Sequence, residues 1–166
     1  LLNSEVRVVA VGGSPDDELP PGEEGEILIA GPSVAQEFWC DPPLSREKFH
    51  GPWWRSGDLG SFDADGYLYV RGRVDDMIIS GGINVMPGPV ENALLAHPDV
   101  AEAAVVGLPD PEWGQRIVAF VVRKHPALDA AALDAHVAAS DLPGYQRPRA
   151  YQFLDELPRG NSGKTN

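Results

Sequence analysis

Apolar and polar positions alternate along EVRVVAV (5–11) and again along GEILIAG (25–31), the period of half-buried strands. A loop rich in Pro, Gly and Asp, SPDDELPPGEEG, separates them. The pattern then breaks. Residues 32–57 are irregular and aromatic, with Phe38, Trp39, Phe49, Trp53 and Trp54, and predict a long packed loop with one helical turn. Leu59–Phe62 and Tyr67–Val70 flank DADG, in which Asp65-Gly66 is a hairpin signal. Residues 1–72 therefore predict an all-β unit, a small barrel or sheet.

The grammar changes after Arg73. Met77–Ser80 and Ile83–Met86 read as short strands across Gly81-Gly82, a dipeptide suited to a tight turn with positive φ. PGPVENALLAHP reads as a helix entered through Pro87 and Pro89. Val90, Ala93 and Leu94 share its apolar face, and Pro98 stops it. AEAAVVGL and GQRIVAFVVR are strands. LDAAALDAHVAAS is a second helix with Leu133 and Val137 on one face, and AYQFLDEL a last strand. The order ββ-α-β-β-α-β predicts a compact α+β domain with one sheet and two helices. The expected division is a β unit at 1–72, a joint at 73–76 and an α+β domain at 77–166.

Composition narrows the function. The 166 residues leave room for one compact domain or two small ones, and 43% of them are apolar, enough for a core. The formal net charge is −12, which repels nucleic acid at long range. A single cysteine, Cys40, excludes an internal disulfide framework and fits a reducing, cytoplasmic setting. No apolar run reaches the length of a membrane span, and no secretory signal pattern is present. The first residue is Leu1, so the chain reads as a portion of a longer one.

Three stretches hold candidate chemistry. In LPRGNSGKTN, Lys164 follows a Gly-flanked run; the first glycine of a phosphate-binding GxxxxGK[ST] loop would fall on Pro158, which excludes that motif. Lys164 is then either a solvated lysine or a cation on a mobile loop. In WWRSGDLG, Asp58 beside Gly57 could accept two sugar hydroxyls, or cap the strand as an Asx turn. In GYQRPR, Tyr145, Arg147 and Arg149 suit stacking and forked hydrogen bonds to a nucleotide, or ordinary loop ion pairs. His50, His97, His125 and His136 lack metal-ligand spacing, so no metal site is expected. Asp75 and Asp76 are adjacent, so on a strand they would point opposite ways and could not flank one substrate bond.

The order of these stretches says more than any one of them. WRSGDLG, then DADGYLYVRGRVDDMIISGGINVMP with Glu91 beyond, then VVGLPDPEWGQ, then RPRAYQFLDELPRGNSGK resembles the adenylate-forming acyl- and aryl-CoA ligases over nearly the whole chain. GRVDDMIISGG is most similar to 4-chlorobenzoate–CoA ligase and fatty-acid–CoA ligases. The resemblance implies an enzyme that joins a carboxylic acid, aryl or fatty, to AMP from ATP. The acyl group then passes to the thiol of coenzyme A. It also implies a fold in which 1–72 is the last β-barrel subdomain of a large domain and 77–166 a mobile lid. The phosphate loop, the acid pocket and most Mg²⁺ ligands would lie in an N-terminal domain upstream. By resemblance, Asp58 holds the ribose, Arg73 lies near the nucleotide, Asp75 is the hinge and Lys164 is the catalytic lysine of adenylation. Gly81 and Gly82 line the path of the pantetheine arm, and Trp113, Tyr145, Arg147 and Arg149 hold the CoA nucleotide. Two rival readings are an adenylation domain that loads a carrier-protein thiol and a lid-type binding fragment without activity of its own.

Overall fold

The computed structural model describes residues 3–160. The chain divides into two compact units, Leu1–Asp75 and Asp76–Asn166. The fold is α+β, as the pattern predicts.

The first unit holds β1 (Glu5–Val9), β2 (Gly25–Ala30), α1 (Pro42–Lys48), β3 (Phe49–His50), β4 (Trp53–Phe62) and β5 (Leu68–Arg73). Its sheet is antiparallel, running β1-β2-β4. β3 and β5 share the far edge of β4: β3 pairs at Trp53 and Trp54, β5 from Asp58 to Phe62. Gly66 (φ +82°) turns the β4–β5 hairpin, and the Asp63 carboxylate accepts the N–H groups of Asp65 and Tyr67. Val9, Leu28, Ala30 and Trp53 form a small apolar cluster.

Residues 32–57 depart from the expected loop. α1 forms because Asp41 caps it, its carboxylate accepting from Leu44 N–H at 3.1 Å, and Pro42 and Pro43 suit the first turn. No α1 residue is buried, so no apolar stripe announces it. β4 is also longer than Leu59–Phe62. Gly57, Asp58 and Gly60 break its alternation, yet pairing with β2 on one edge and with β3 and β5 on the other carries the strand through Gly57, where φ is +74°.

The second unit holds β6 (Ile78–Ser80), β7 (Ile83–Val85), α2 (Pro87–Leu95), β8 (Val100–Asp110), β9 (Gly114–Arg123), α3 (Ala130–Ala138), a 3-10 turn at Gly144–Gln146 and β10 (Ala150–Leu154). β9 is central. β8 lies antiparallel along its whole length, β10 pairs parallel on the other edge, and β6 meets that edge at its start, Ser80 opposite Gly114. Val90 and Leu94 of α2 and Leu133 and Val137 of α3 are fully buried against the sheet. Each such aliphatic side chain contributes about 1.5–3 kcal/mol by leaving water. Asp129 caps α3, accepting from Ala132 N–H at 2.8 Å. Glu91 reaches off α2 to accept from Val105 N–H of β8 at 2.9 Å, tying helix to sheet.

Candidate functional site

In the first unit, Asp58 and Arg73 stand directly opposite each other on β4 and β5. The Arg73 guanidinium donates to Asp58 Oδ1 at 3.0 Å and lies 3.9 Å from Asp75 Oδ2. Both partners remain substantially exposed. Gly57 makes this possible. Its φ is +74°, and a Cβ there would stand 3.0 Å from Arg73 Nη2. Val74 N–H donates to Gly57 O, and Asp58 N–H to Ser56 Oγ, which pins the strand on either side. The result is a carboxylate and a guanidinium side by side on neighbouring strands. One suits hydroxyl groups and the other an anion.

In the second unit, Gly81 (φ +59°) and Gly82 (φ +78°) turn the β6–β7 hairpin. Trp113 belongs to the turn between β8 and β9. Its main-chain carbonyl accepts from Gly81 N–H at 2.8 Å. Its ring lies so close to Gly81 that a Cβ there would stand 2.9 Å from Cε3. Arg149 places its guanidinium 4.3 Å from the centre of the same ring. Gly81, Trp113 and Arg149, far apart in sequence, thus form one cluster. Around Gly82 the space is open. Arg147 is turned elsewhere, donating from Nη2 to Ala138 O at the end of α3. Tyr145 is exposed, its hydroxyl accepting from Gln146 Nε2 at 3.4 Å. Lys164 lies outside the described residues.

Other titratable groups are structural. The Tyr151 phenol is pushed up to about 12, first by burial and then by Asp134, and stays protonated at neutral pH. His97 and His136, scattered in sequence, meet edge to face at 5.0 Å between α2 and α3. His97 Nδ1 accepts from Asp99 N–H, and His136 Nε2 lies 3.0 Å from Ala93 O. Among the described residues, no group of three or more His, Cys, Asp or Glu is placed to hold a metal ion. No described helix is long and apolar enough to cross a membrane.

Sequence reading singles out Gly57 as a neighbour of Asp58 but not its closeness to Arg73. It passes over two residues that the fold brings to the second cluster: Asp110 holds the turn of Trp113, and Gln115 accepts from Ile79 N–H at 2.6 Å. The signal for Asp110 is its place at the head of DPEWG, where an acid commonly accepts the N–H groups of its own turn.

The described chain is thus an antiparallel β unit followed by an α+β unit whose Gly-turned hairpin packs beside a Trp–Arg stack. Residues 89–164 match the AMP-binding enzyme C-terminal domain. Over nearly its whole length the chain is similar to adenylate-forming CoA ligases and their relatives. It is 47% identical over 163 residues to a sulfoacetate–CoA ligase of Cupriavidus necator, covering 97% of this chain and 31% of that protein. It is 42% identical to a fatty acid–acyl-carrier-protein ligase of Streptomyces coeruleorubidus, over 89% of this chain and 28% of the relative. Among solved structures, the o-succinylbenzoate CoA synthetase of Bacillus subtilis in complex with its acyl-adenylate intermediate superposes with a TM-score of 0.88 at 36% identity. That match covers 99% of this chain and 33% of the other. The chain spans about a third of the length of the relatives it matches.

Proposed function

We propose that this chain is the C-terminal portion of an ATP-dependent carboxylic acid–CoA ligase, with the reaction acid + ATP + CoA to acyl-CoA + AMP + pyrophosphate through an acyl-adenylate. The observation that carries this reading is similarity over nearly the whole chain to ligases of chemically unlike acids, sulfoacetate and o-succinylbenzoate among them. What such proteins share is the chemistry of ATP and thiol, and the acid is chosen elsewhere. A cytoplasmic location goes with this reading.

Residues 1–72 would end the large domain, 73–76 would form the hinge at Asp75, and 77–166 would be the lid. Asp58 accepts the ribose hydroxyls and Arg73 lies near the nucleotide. The pair of groups fits: a carboxylate and a guanidinium 3.0 Å apart, both exposed, on neighbouring strands. Mg²⁺, held mainly by the upstream domain, supplies positive charge to the phosphates. Lys164 offsets charge as the carboxylate attacks the α-phosphate. Trp113, Tyr145, Arg147 and Arg149 hold the CoA nucleotide, and Gly81 and Gly82 flank the pantetheine arm. The lysine and the hairpin stand far apart in the sequence of the lid, and in this scheme rotation about the hinge brings them to the reacting centre in turn. The isolated chain, without the phosphate loop, is inactive in this scheme.

Lys164→Ala in the full-length enzyme tests it. Pyrophosphate release falls by about two to three orders of magnitude, while supplied acyl-AMP is still converted to thioester. Equal loss of both half-reactions would overturn the lysine's role. A second acceptor is favoured by one observation, the similarity to a ligase that names an acyl carrier protein. Comparing free CoA with a phosphopantetheinylated carrier as acceptor separates the two readings.

A further inference from the structure

We infer that Asp110 is a positioning residue of the thioester step: it clamps the β8–β9 turn so that Trp113 is presented to Gly81 and Arg149. The inference rests on the CoA assignment above and deepens it.

Asp110 ends β8, and Gly114 (φ +72°) starts β9. Between them the chain must reverse over three residues, Pro111, Glu112 and Trp113. Asp110 Oδ1 accepts two N–H groups at once, from Glu112 and from Trp113, each at 3.0 Å. Its Oδ2 lies 4.0 Å from Arg116 Nε, and the side chain is 15% exposed. One carboxylate oxygen therefore fixes the backbone from which the Trp113 ring projects. That ring is then held on two sides. Gly81 offers a surface without a Cβ and donates its N–H to Trp113 O; Arg149 stacks its guanidinium over the ring. Gln115, one residue past the turn, accepts from Ile79 N–H and locks β6 to the same block. Asp110 touches neither the hairpin glycines nor Arg149 in this scheme. It acts through Trp113. A loosened turn leaves the ring free to sample other rotamers, and an indole that must be ordered on binding binds more weakly.

The chemistry at Asp110 makes a sharp test, because the needed atom is a carbonyl-type acceptor and not a charge. Asparagine keeps such an oxygen in the same place. In the full-length protein, Asp110→Ala is expected to raise KM for CoA about five- to tenfold. Pyrophosphate release measured without CoA should change less than about twofold. Asp110→Asn should restore the CoA KM to near that of the parent. In protein labelled with 5-fluorotryptophan, the Trp113 resonance, identified by its loss in Trp113→Ala, should shift or broaden in Asp110→Ala and return in Asp110→Asn. An unmoved resonance in Asp110→Ala, or an asparagine as poor as alanine, would overturn the clamp. A shifted resonance with unchanged CoA kinetics in both Asp110→Ala and Trp113→Ala would overturn the link to the thioester step, with the CoA assignment itself at fault. If the alanine variant does not fold, Asp110→Ser, which retains a single shorter acceptor, is measured on the same two readouts.

Discussion

The two units hold themselves together by different means. The first has a small apolar cluster and, beside it, a buried ion pair: Arg55 Nη1 and Glu26 Oε2 are 2.6 Å apart, with side chains 9% and 6% exposed. Arg55 also donates to Gly13 O, and Gly12 N–H reaches Glu26 Oε2, so the pair ties the loop after β1 to β2 and β4. The second unit has a thirteen-residue cluster, all of it aliphatic, from Ile78 of β6 to Leu142 just past α3. The contrast extends to the sites. Asp58 and Arg73 are an exposed polar pair set by strand register, whereas Gly81, Trp113 and Arg149 are set by packing. A polar clamp is brittle to loss of one partner, because the other charge stays buried. An aliphatic core loses stability in proportion to what is removed.

The largest effect expected is therefore Arg55→Ala, at about 3–5 kcal/mol, since Glu26 would remain buried and unpaired. Hydrogen exchange should show the loss in the amides of β1, β2 and β4 and leave β8 and β9 protected. Leu94→Ala should cost somewhat less, about 2–5 kcal/mol, with exchange accelerated in the second unit. If either variant loosened both units equally, the contrast between them would fail. A smaller effect separates the two glycines. Each has positive φ, so Ala at either should cost about 1–2 kcal/mol, but only at Gly81 does the new methyl also meet Trp113. Gly81→Ala should raise KM for CoA more than Gly82→Ala does, and the reverse order would break the packing account of that site. A last effect shows only at alkaline pH. The unfolded phenol of Tyr151 loses its proton near its ordinary value of 10, the folded one not until about 12. The folded state thus binds more protons in that window, and stability falls as pH rises from about 10 to 12. Tyr151→Phe should flatten that slope in denaturant titrations.

Much of the second unit was legible in the chain. Val90 and Leu94, and Leu133 and Val137, sit four apart and are buried where that spacing places them. Gly81-Gly82 turns a hairpin, as an adjacent pair of positive-φ residues should. The first unit was read less well because its signals cancel. α1 has caps but no apolar face, and β4 has glycines where a strand shows alternation. At the sites, the types of residue were readable and their grouping was not. GYQRPR places Arg147 and Arg149 side by side in sequence, yet one turns to the end of α3 and the other to Trp113. Residues two apart in an extended segment need not share a neighbour.

Local pattern by itself determined the sequence of elements in the second unit and the tight turns at Gly66 and Gly81-Gly82. These depend on φ preferences and apolar spacing, which act over a few residues. Only the tertiary structure decided that β9 lies between β8 and the pair of β10 and β6. The same holds for Gly57, whose missing Cβ admits Arg73, and for Asp110, whose turn delivers an indole to a glycine twenty-nine residues before it. Those facts depend on which strands pair and at what register. Pairing is a contest among distant segments for the same edge, and nothing within a short window of sequence records its outcome.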